Sequence, residues 1–356
     1  MKRAIVAISI ICFSFLINSC DTNEPFDDDG NGVDTTSHNF TWQSWSFGEH
    51  SSSALYDVAI IDENNIWAVG EIYLNDSLGQ PDPTPYNSVY WDGTNWDIIR
   101  IPTKTFSGSI VSSQIRTIFA FNENDIWTFS IAGSFSHWNG SKWETEFVSE
   151  RDGSGNKLWG TSSSDLYLVC TNGGISYYNG TNWQKIESGT ELNIYDIYGQ
   201  KTTNGQYEII CVASDQSVST NKKIIKIENN IPVNLSTSGI PYSIRGIWFK
   251  PNSRYFVVGS GMYSKTDINL NQAWTSMGEG ITQYYINSVD GNGLNDIVVC
   301  GAYGELLHFN GISWQSFKSE VQLQSGSYRG TKMKDNFIIA VGYDSPKATV
   351  IMGKRN

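Results

Sequence analysis

From residue 40 onward the chain repeats one pattern about every 45 residues, and this repeat constrains the fold more than any other feature. The clearest copies span residues 115–148, 158–188 and 286–320. Each has three apolar runs separated by polar or glycine-containing turns, and an Asn-Gly pair then leads to a fourth run marked by Trp. Asn-Gly and Asp-Gly between apolar runs favour type I′ hairpin turns, in which both central residues have positive φ. One repeat therefore predicts a four-stranded antiparallel meander.

Seven copies of the repeat can be aligned on the starts of their first strands. These starts are Leu55, Ile115, Leu158, Ile194, Ile244, Ile286 and Tyr328. The longest interval contains an inserted segment, residues 71–87, with three Pro. A period of this length is typical of β-propeller blades, whose radial closure leaves only short sheet edges. The sequence therefore predicts an all-β, seven-bladed β-propeller of four-stranded antiparallel blades over residues 40–356.

The two ends of the repeat region indicate how the ring closes. The seventh copy supplies only three apolar runs, whereas residues 41–48 (TWQSWSFG) are similar to the fourth run at 313–320 (SWQSFKSE). Trp42 falls in the position that other copies fill with Trp96, Trp143, Trp183, Trp274 and Trp314. We therefore expect an N-terminal strand, residues 40–48, to complete the last blade.

The repeat also resembles a known family. The segments LWGTSSSDLYLV, NNIWAVG and FSHWNGSKW are similar to a bacterial propeller repeat with the consensus Trp-Gly-Ser-Ser, Asp-Val-Trp-Ala-Val-Gly and His-Trp-Asn-Gly-x-x-Trp. That family consists mostly of uncharacterised lipoproteins and secreted proteins. The resemblance covers nearly all of the repeat region, and it implies the propeller fold but no particular activity.

The N-terminus indicates export and anchoring. Residues 1–19 have a basic start and a short apolar stretch, which predicts a signal peptide rather than a transmembrane helix. The sequence Ile17-Asn18-Ser19-Cys20 resembles a bacterial lipobox. The resemblance implies lipidation of Cys20, a membrane anchor and a location in the cell envelope, at the outer membrane. The acidic residues after Cys20 (DTNEPFDDDG) resemble the export tether of surface lipoproteins in Bacteroidetes-type bacteria, which implies surface exposure. The alternative is a conventional secretory signal with an incidental Cys.

The segment after the lipobox is acidic. Residues 21–39 contain six Asp or Glu and no Lys or Arg, so residues 20–39 are predicted to form a disordered tether. An EF-hand-like run begins at Asp27, but its twelfth position is His38 rather than Glu, which argues against calcium. Thr35 and Ser77 follow Asp in short motifs that resemble the O-glycosylation acceptor of Bacteroidetes.

Composition excludes several functions. The net charge is −12 with no cluster of Lys and Arg, so nucleic acid is not an expected partner. With four His and five Cys, and without HExxH, CxxC or GxSxG strings, the sequence predicts no metal site, no cofactor and no catalytic residue. Cys170, Cys211 and Cys300 are predicted to be small buried residues of the second strands.

One set of residues is a candidate binding site. The second residue of each predicted first strand is mostly Tyr, Trp or Arg, types that are enriched at binding hot spots. The set is Tyr56, Arg116, Trp159, Tyr195, Arg245, Asn287 and Arg329. If the first strands line the central channel, these residues lie at one mouth, rimmed by loops 71–87, 213–223, 259–270 and 343–347. The alternative is that these side chains pack between blades.

These observations favour a lipid-anchored surface propeller that acts as a ligand-binding or protein-interaction module, with an anionic glycan or peptide as ligand. One alternative is a glycan-active hydrolase or lyase, as in the sialidase propellers. However, an Asp-box needs Ser-x-Asp-x-Gly-x-x-Trp, and residues 91–96 (WDGTNW) are one residue shorter between Asp and Gly. The other alternative is a structural component of a surface complex.

Overall fold

The structure is a computed structural model that describes residues 2, 3, 35–216 and 220–356. The rest of the predicted signal peptide, Cys20 and residues 20–34 of the predicted tether lie outside the described residues. Strand β1 (Lys2–Arg3) pairs antiparallel with β6 (Trp96–Ile99). Among the described residues, no helix is long and apolar enough to cross a membrane.

The first three blades follow one another along the chain. Blade one consists of β3 (Ala54–Asp62), β4 (Asn65–Ile72), β5 (Tyr86–Trp91) and β6. A short hairpin follows, with strands β7 (Thr103–Lys104) and β8 (Ile110–Val111). Blade two consists of β9 (Ile115–Asn122), β10 (Asp125–Ser130), β11 (Ser134–Trp138) and β12 (Trp143–Phe147). Blade three consists of β13 (Gly155–Ser162), β14 (Asp165–Cys170), β15 (Gly174–Tyr178) and β16 (Trp183–Glu187).

The remaining four blades have the same antiparallel order. Blade four consists of β17 (Asn193–Lys201), β18 (Tyr207–Ser214), β19 (Lys222–Glu228) and β20 (Ile231–Leu235). Blade five consists of β21 (Ile244–Lys250), β22 (Arg254–Gly259), β23 (Gly261–Lys265) and β24 (Thr275–Ser276). Blade six consists of β25 (Ile286–Gly293), β26 (Asp296–Gly301), β27 (Leu306–Phe309) and β28 (Trp314–Ser316). Blade seven consists of β29 (Gly326–Lys334), β30 (Phe337–Asp344), β31 (Lys347–Arg355) and β2 (Phe40–Phe47).

The first strand of each blade contacts the first strands of both neighbouring blades, and these contacts close a ring around a central channel. In blade seven, β2 pairs with β31 along its whole length, from Phe40 opposite Arg355 to Phe47 opposite Ala348. The indole of Trp42 covers Gly353 on the partner strand. The seven-bladed propeller and its closure by an N-terminal strand are therefore confirmed.

The hydrophobic core is divided into seven clusters, one between each pair of neighbouring blades. The cluster between blades one and two is the smallest of the seven and consists of aliphatic residues. Trp67, Trp138 and Trp143 pack against this cluster but are only partly buried. The interface between blades one and two therefore leaves aromatic surface open to solvent.

Each first strand carries a β-bulge directly after a buried residue near its start. In blade one the ladder shifts between Leu55 and Asp57, so Tyr56 has no partner on β4. The bulge brings a first-strand carbonyl towards the second strand. A Cβ on Gly70 would lie 2.0 Å from the carbonyl oxygen of Ala54. This crowding explains the small residue that faces each bulge: Gly70, Ser130, Cys170, Ala213, Gly259, Gly301 and Gly342.

The turns before the fourth strands differ from the type I′ expectation. In residues 92–95 the Asp92 carboxylate accepts hydrogen bonds from the amides of Thr94 and Asn95, and of these residues only Gly93 has positive φ. Because the carboxylate stabilises the turn, its first residue does not need a left-handed conformation. Two consecutive positive φ angles do occur at Asn229 and Asn230, between β19 and β20.

Two further expectations need correction. Only two of the four predicted rim loops are long, residues 73–85 and 215–221, because β22 and β23 are separated by Ser260 alone and β30 and β31 by two residues. Contacts with the propeller begin before residue 40, within the predicted tether. The Thr36 amide donates a hydrogen bond to the carbonyl of Asn310, and His38 contacts His308 in blade six.

Candidate functional site

A cavity of about 290 Å³ opens at the end of the channel where the first strands begin. Its rim is formed by the bulged residues, because a bulge turns the unpaired side chain away from the ladder and towards the channel axis. In chain order the seven bulged residues are Tyr56, Arg116, Asn156, Tyr195, Arg245, Asn287 and Arg329, and all of them line the cavity. Six of the seven predicted candidates therefore lie around one cavity.

The prediction that Trp159 lies at the mouth of the channel is wrong. The bulge in blade three lies between Gly155 and Lys157, so Asn156 occupies the position assigned to Trp159. Trp159 lies three residues further along β13, is 6% exposed and packs in the cluster between blades three and four. Its indole covers Gly199 of blade four, where a Cβ would lie 2.3 Å from the ring. Trp159 is therefore a packing residue.

The arginines of the rim lie on aromatic faces. The guanidinium of Arg116 is 4.4 Å from the centre of the Tyr56 ring, and that of Arg245 is 4.7 Å from the centre of the Tyr195 ring. Arg329 lies 5.2 Å from the ring of Tyr343. None of the three arginines forms a salt bridge within the described part of the chain, and the buried Nε of Arg329 has no hydrogen-bond partner. Three cations therefore converge at the rim, and none of them is in an ion pair within the described part of the chain.

The field of this cluster affects its own members. Burial lowers the pKa of the Arg245 guanidinium, and the neighbouring Arg329 and Arg116 lower it further, while Tyr285 and Tyr195 oppose the shift. An arginine remains protonated at any ordinary pH, so the lowered pKa indicates that burial and the neighbouring arginines disfavour positive charge at this position. An anion at the rim would relieve this repulsion.

The two Asn residues of the rim have a different role. Asn156 donates from its side-chain amide to the carbonyl of Ile194, 2.8 Å away, and Asn287 donates to the carbonyl of Tyr328, 2.7 Å away. Each bond joins one blade to the residue that precedes the bulge of the next blade. These two side chains therefore hold neighbouring blades in register, and the Arg and Tyr side chains remain for a ligand.

Below the rim, the next residues of the first strands supply two carboxylates. Asp57 forms an ion pair with Lys157 at 2.6 Å and accepts hydrogen bonds from Thr117 Oγ1 and from the amides of Val58 and Ile118. Four cationic and two anionic side chains line the cavity, a net charge of +2 with both carboxylates ionised. The sequence of residues 40–356 carries −8, so the mouth reverses the sign of the domain.

Asp196 is the second carboxylate of the cavity, and it accepts hydrogen bonds from the amides of Ile197 and Ile247, each at 3.0 Å. Burial raises the pKa of Asp196 to about 6, although Lys157 and the amide of Ile247 oppose the shift. Like Asp57, Asp196 joins its blade to the amide of the next one. Both carboxylates are therefore engaged in holding the inner strands together.

A second pocket of about 730 Å³ continues outward from the rim and shares Arg245, Asn287 and Arg329 with the first cavity. Tyr285, Tyr303 and other polar residues of blades five to seven line this outer groove. The combined site is a cationic cavity that opens into a wider groove with aromatic and hydrogen-bonding walls.

The remaining candidates occupy these positions. Cys170, Cys211 and Cys300 are buried free thiols, and burial raises the pKa of each. Thr35 and Ser77 are exposed, and their predicted O-glycosylation remains a prediction. Within the described ranges, no group of three or more His, Cys, Asp or Glu side chains is arranged to hold a metal ion.

Comparison with known proteins supports the fold. No protein-family model matches the chain, and no curated protein matches it. A solved structure of YCF48 bound to D1 peptide is similar with a TM-score of 0.62 and 16% identity, covering 91% of this chain and 100% of that one. YCF48 from Cyanidioschyzon merolae has a TM-score of 0.60 and 12% identity, covering 88% of this chain and 98% of that one. Virginiamycin B lyase from Staphylococcus aureus has a TM-score of 0.61 and 10% identity, covering 88% of this chain and 99% of that one.

Proposed function

We propose that this propeller is a binding module that captures a peptide through an anionic group, a carboxylate above all, at the channel mouth. The observation that carries the proposal is the convergence of Arg116, Arg245 and Arg329 without a salt bridge among the described residues, with a buried Arg329 Nε that has no partner. A buried donor without an acceptor is costly, and an anionic ligand would supply the missing acceptor.

Two features favour a peptide over an acidic glycan. The outer groove extends from the arginines past Tyr285 and Tyr303, which gives an extended chain a path away from its anchored end. YCF48, which has the same fold, was solved bound to a peptide. An acidic glycan is the other ligand with the same anionic chemistry, and the binding experiment distinguishes the two.

The cavity favours binding over hydrolysis. Most glycosidases need two carboxyl groups free to act on the substrate. Here both oxygens of Asp57 and both oxygens of Asp196 accept hydrogen bonds from the protein. We therefore assign them to the stability of the inner strands.

The test compares peptides that differ only at the carboxyl terminus. The purified protein is applied to an array of peptides, each present with a free C-terminus and as a C-terminal amide. It is also applied to an array of acidic glycans. We expect the protein to prefer peptides with a free carboxylate. The triple variant with Gln at Arg116, Arg245 and Arg329 should bind at least tenfold more weakly, with little change in Tm. Arg254→Gln, on the opposite side of blade five, is the matched control. Equal binding of acids and amides, binding of glycans alone, or binding that survives the triple change would refute the proposal.

We also propose that the protein is a lipoprotein of the bacterial cell envelope, attached through Cys20. The lipobox and the acidic segment that follows it support this location. Cys20→Ala should release the protein from the membrane fraction or leave it unprocessed. Intact mass of the native protein would show both the lipid and any sugar on Thr35 or Ser77, and unchanged fractionation of the variant would contradict the anchor.

A further inference from the structure

A third pocket, of about 600 Å³, lies between blades one and two, away from the channel mouth. It follows one face of blade one from the start of β4, across β5, to the fourth strand β6, and it ends against blade two. The turn between β9 and β10 and the two Trp residues that flank the last turn of blade two form its other side. We refer to this pocket as the lateral groove.

Four aromatic side chains line the lateral groove, and all of them are partly exposed. The rings of Trp67 and Tyr90 lie 4.7 Å apart at 36°, whereas Trp67 and Trp143 meet almost at right angles, 76°, at 5.9 Å. Trp138 contacts Trp143 at 5.7 Å. Rings in several orientations around one space present more than one π-face to a ligand, and Trp has the strongest attraction for a cation among the aromatic side chains.

The groove is also negatively charged. Asp97 and Glu123 line it, and no Lys or Arg within residues 35–216 or 220–356 does so. The pKa of the Tyr90 hydroxyl is raised, first by burial and then by the carboxylates of Asp92, Asp62, Glu123 and Asp97. Asn65 also lines the groove, and its side-chain oxygen is buried without a hydrogen-bond donor.

Aromatic faces combined with uncompensated negative charge are the chemistry that recognises an alkylated ammonium group. We propose that the lateral groove binds a small ligand with a trimethylammonium group, held over the indoles of Trp67 and Trp143 and neutralised by Asp97 and Glu123. Charge complementarity separates this ligand from the anion proposed for the channel mouth, and the two sites lie on different parts of the ring. A neutral sugar would use the same rings, but it would gain nothing from the carboxylates.

The purified protein is titrated with choline, with tetramethylammonium and with 3,3-dimethyl-1-butanol, the uncharged isostere of choline. Binding is measured by Trp fluorescence and by calorimetry. We expect choline and tetramethylammonium to bind and the isostere to bind at least about fivefold more weakly. Added salt should weaken the binding of the cations because their attraction to exposed carboxylates is screened.

The charge variants keep the shape of the groove. Asp97→Asn and Glu123→Gln should each weaken choline binding about threefold, since a carboxylate about 6 Å from the cation contributes a modest Coulomb attraction in water. Glu279→Gln removes an exposed carboxylate in the segment between blades five and six and should have no effect. Trp67→Leu should reduce binding more, with a thermal melt to show that the variant is folded.

Several results would overturn the inference. The proposed recognition of charge fails if the isostere binds as tightly as choline, or if Asp97→Asn and Glu123→Gln behave like Glu279→Gln. A response to maltose or cellobiose without a response to choline would make the groove a sugar site. Absence of any response to choline would also reject it. The triple arginine change at the channel mouth should leave choline binding unchanged, so this proposal and the peptide proposal can fail separately.

Discussion

Asp57 should contribute more to stability than any other polar side chain of the inner strands. It lies between three blades, with its carboxylate 4% exposed, 2.6 Å from Lys157 Nζ and within hydrogen-bond distance of Thr117 Oγ1 and the Ile118 amide. Asp57→Ala would leave a largely buried ammonium without its counter-ion and a buried amide without an acceptor. Removing one partner of such a pair typically costs about 3–5 kcal/mol.

The comparison that tests this reasoning is Lys157→Met. That change leaves the Asp57 carboxylate with three hydrogen-bond donors, Thr117 Oγ1 and the amides of Val58 and Ile118, so it should cost less than Asp57→Ala. The double variant should cost less than the sum of the single changes, because the groups are in contact. For a domain of this size about 1 kcal/mol corresponds to roughly 2 °C in Tm, so we expect Asp57→Ala to lower Tm by about 6–10 °C.

Differential scanning calorimetry and urea unfolding of the four proteins would measure these differences. If Asp57→Ala costs less than about 1 kcal/mol, or if Lys157→Met is the more damaging change, then the bonds between blades contribute little and the apolar clusters alone hold the ring together.

Three further predictions concern the closing strand and two titratable groups. Deleting residues 40–47 exposes the edge of β31 and removes the buried Phe40 and Phe47. Because loss of one large buried aromatic costs about 3–5 kcal/mol, the variant should melt early or aggregate, and an unchanged melt would contradict the closure. Burial, His308 and Arg355 lower the pKa of His38, so its contribution to stability should be present above pH 6.5 and lost on acidification. His38→Gln should reduce this acid sensitivity in thermal melts recorded from pH 4 to 8. The pKa of Asp196 is raised to about 6, so its ionisation opposes folding, and stability should fall as the pH rises through about 6. The variant Asp196→Asn should be more stable than the parent protein above that pH and similar to it near pH 4.

The fold could be predicted because the repeat states the same local structure seven times. The repeat reveals the fully buried residues Leu55, Ile115 and Ile194 near the starts of their strands, and the similarity of 41–48 to 313–320 locates the closing strand. The error at Trp159 came from aligning blade three on its most conspicuous apolar residues. In blades one, two, five and six the bulged residue precedes the small residue of the second strand by 14 positions. The same interval counted back from Cys170 leads to Asn156, so the register was present in the sequence.

Other features depended on geometry that a repeat pattern does not contain. The lateral groove joins Trp67 of one blade to Trp143 of the next, and each occupies an ordinary position within its own repeat. Likewise, nothing local distinguishes Asp57 from an exposed carboxylate, because its partner Lys157 is 100 residues away and two blades further along the ring.

The pairing of β2 with β31 also determines when the propeller ring can close during synthesis of the chain. Phe40 and its partner Arg355 lie at opposite ends of the repeat region, so β2 leaves the ribosome long before the strand it pairs with has been made. In that interval β2 is an unpaired edge strand, and the ring of blades cannot close. A chain interrupted anywhere before β31 would keep β2 accessible to chaperones and proteases. The ring can therefore close only after β31 has been synthesised.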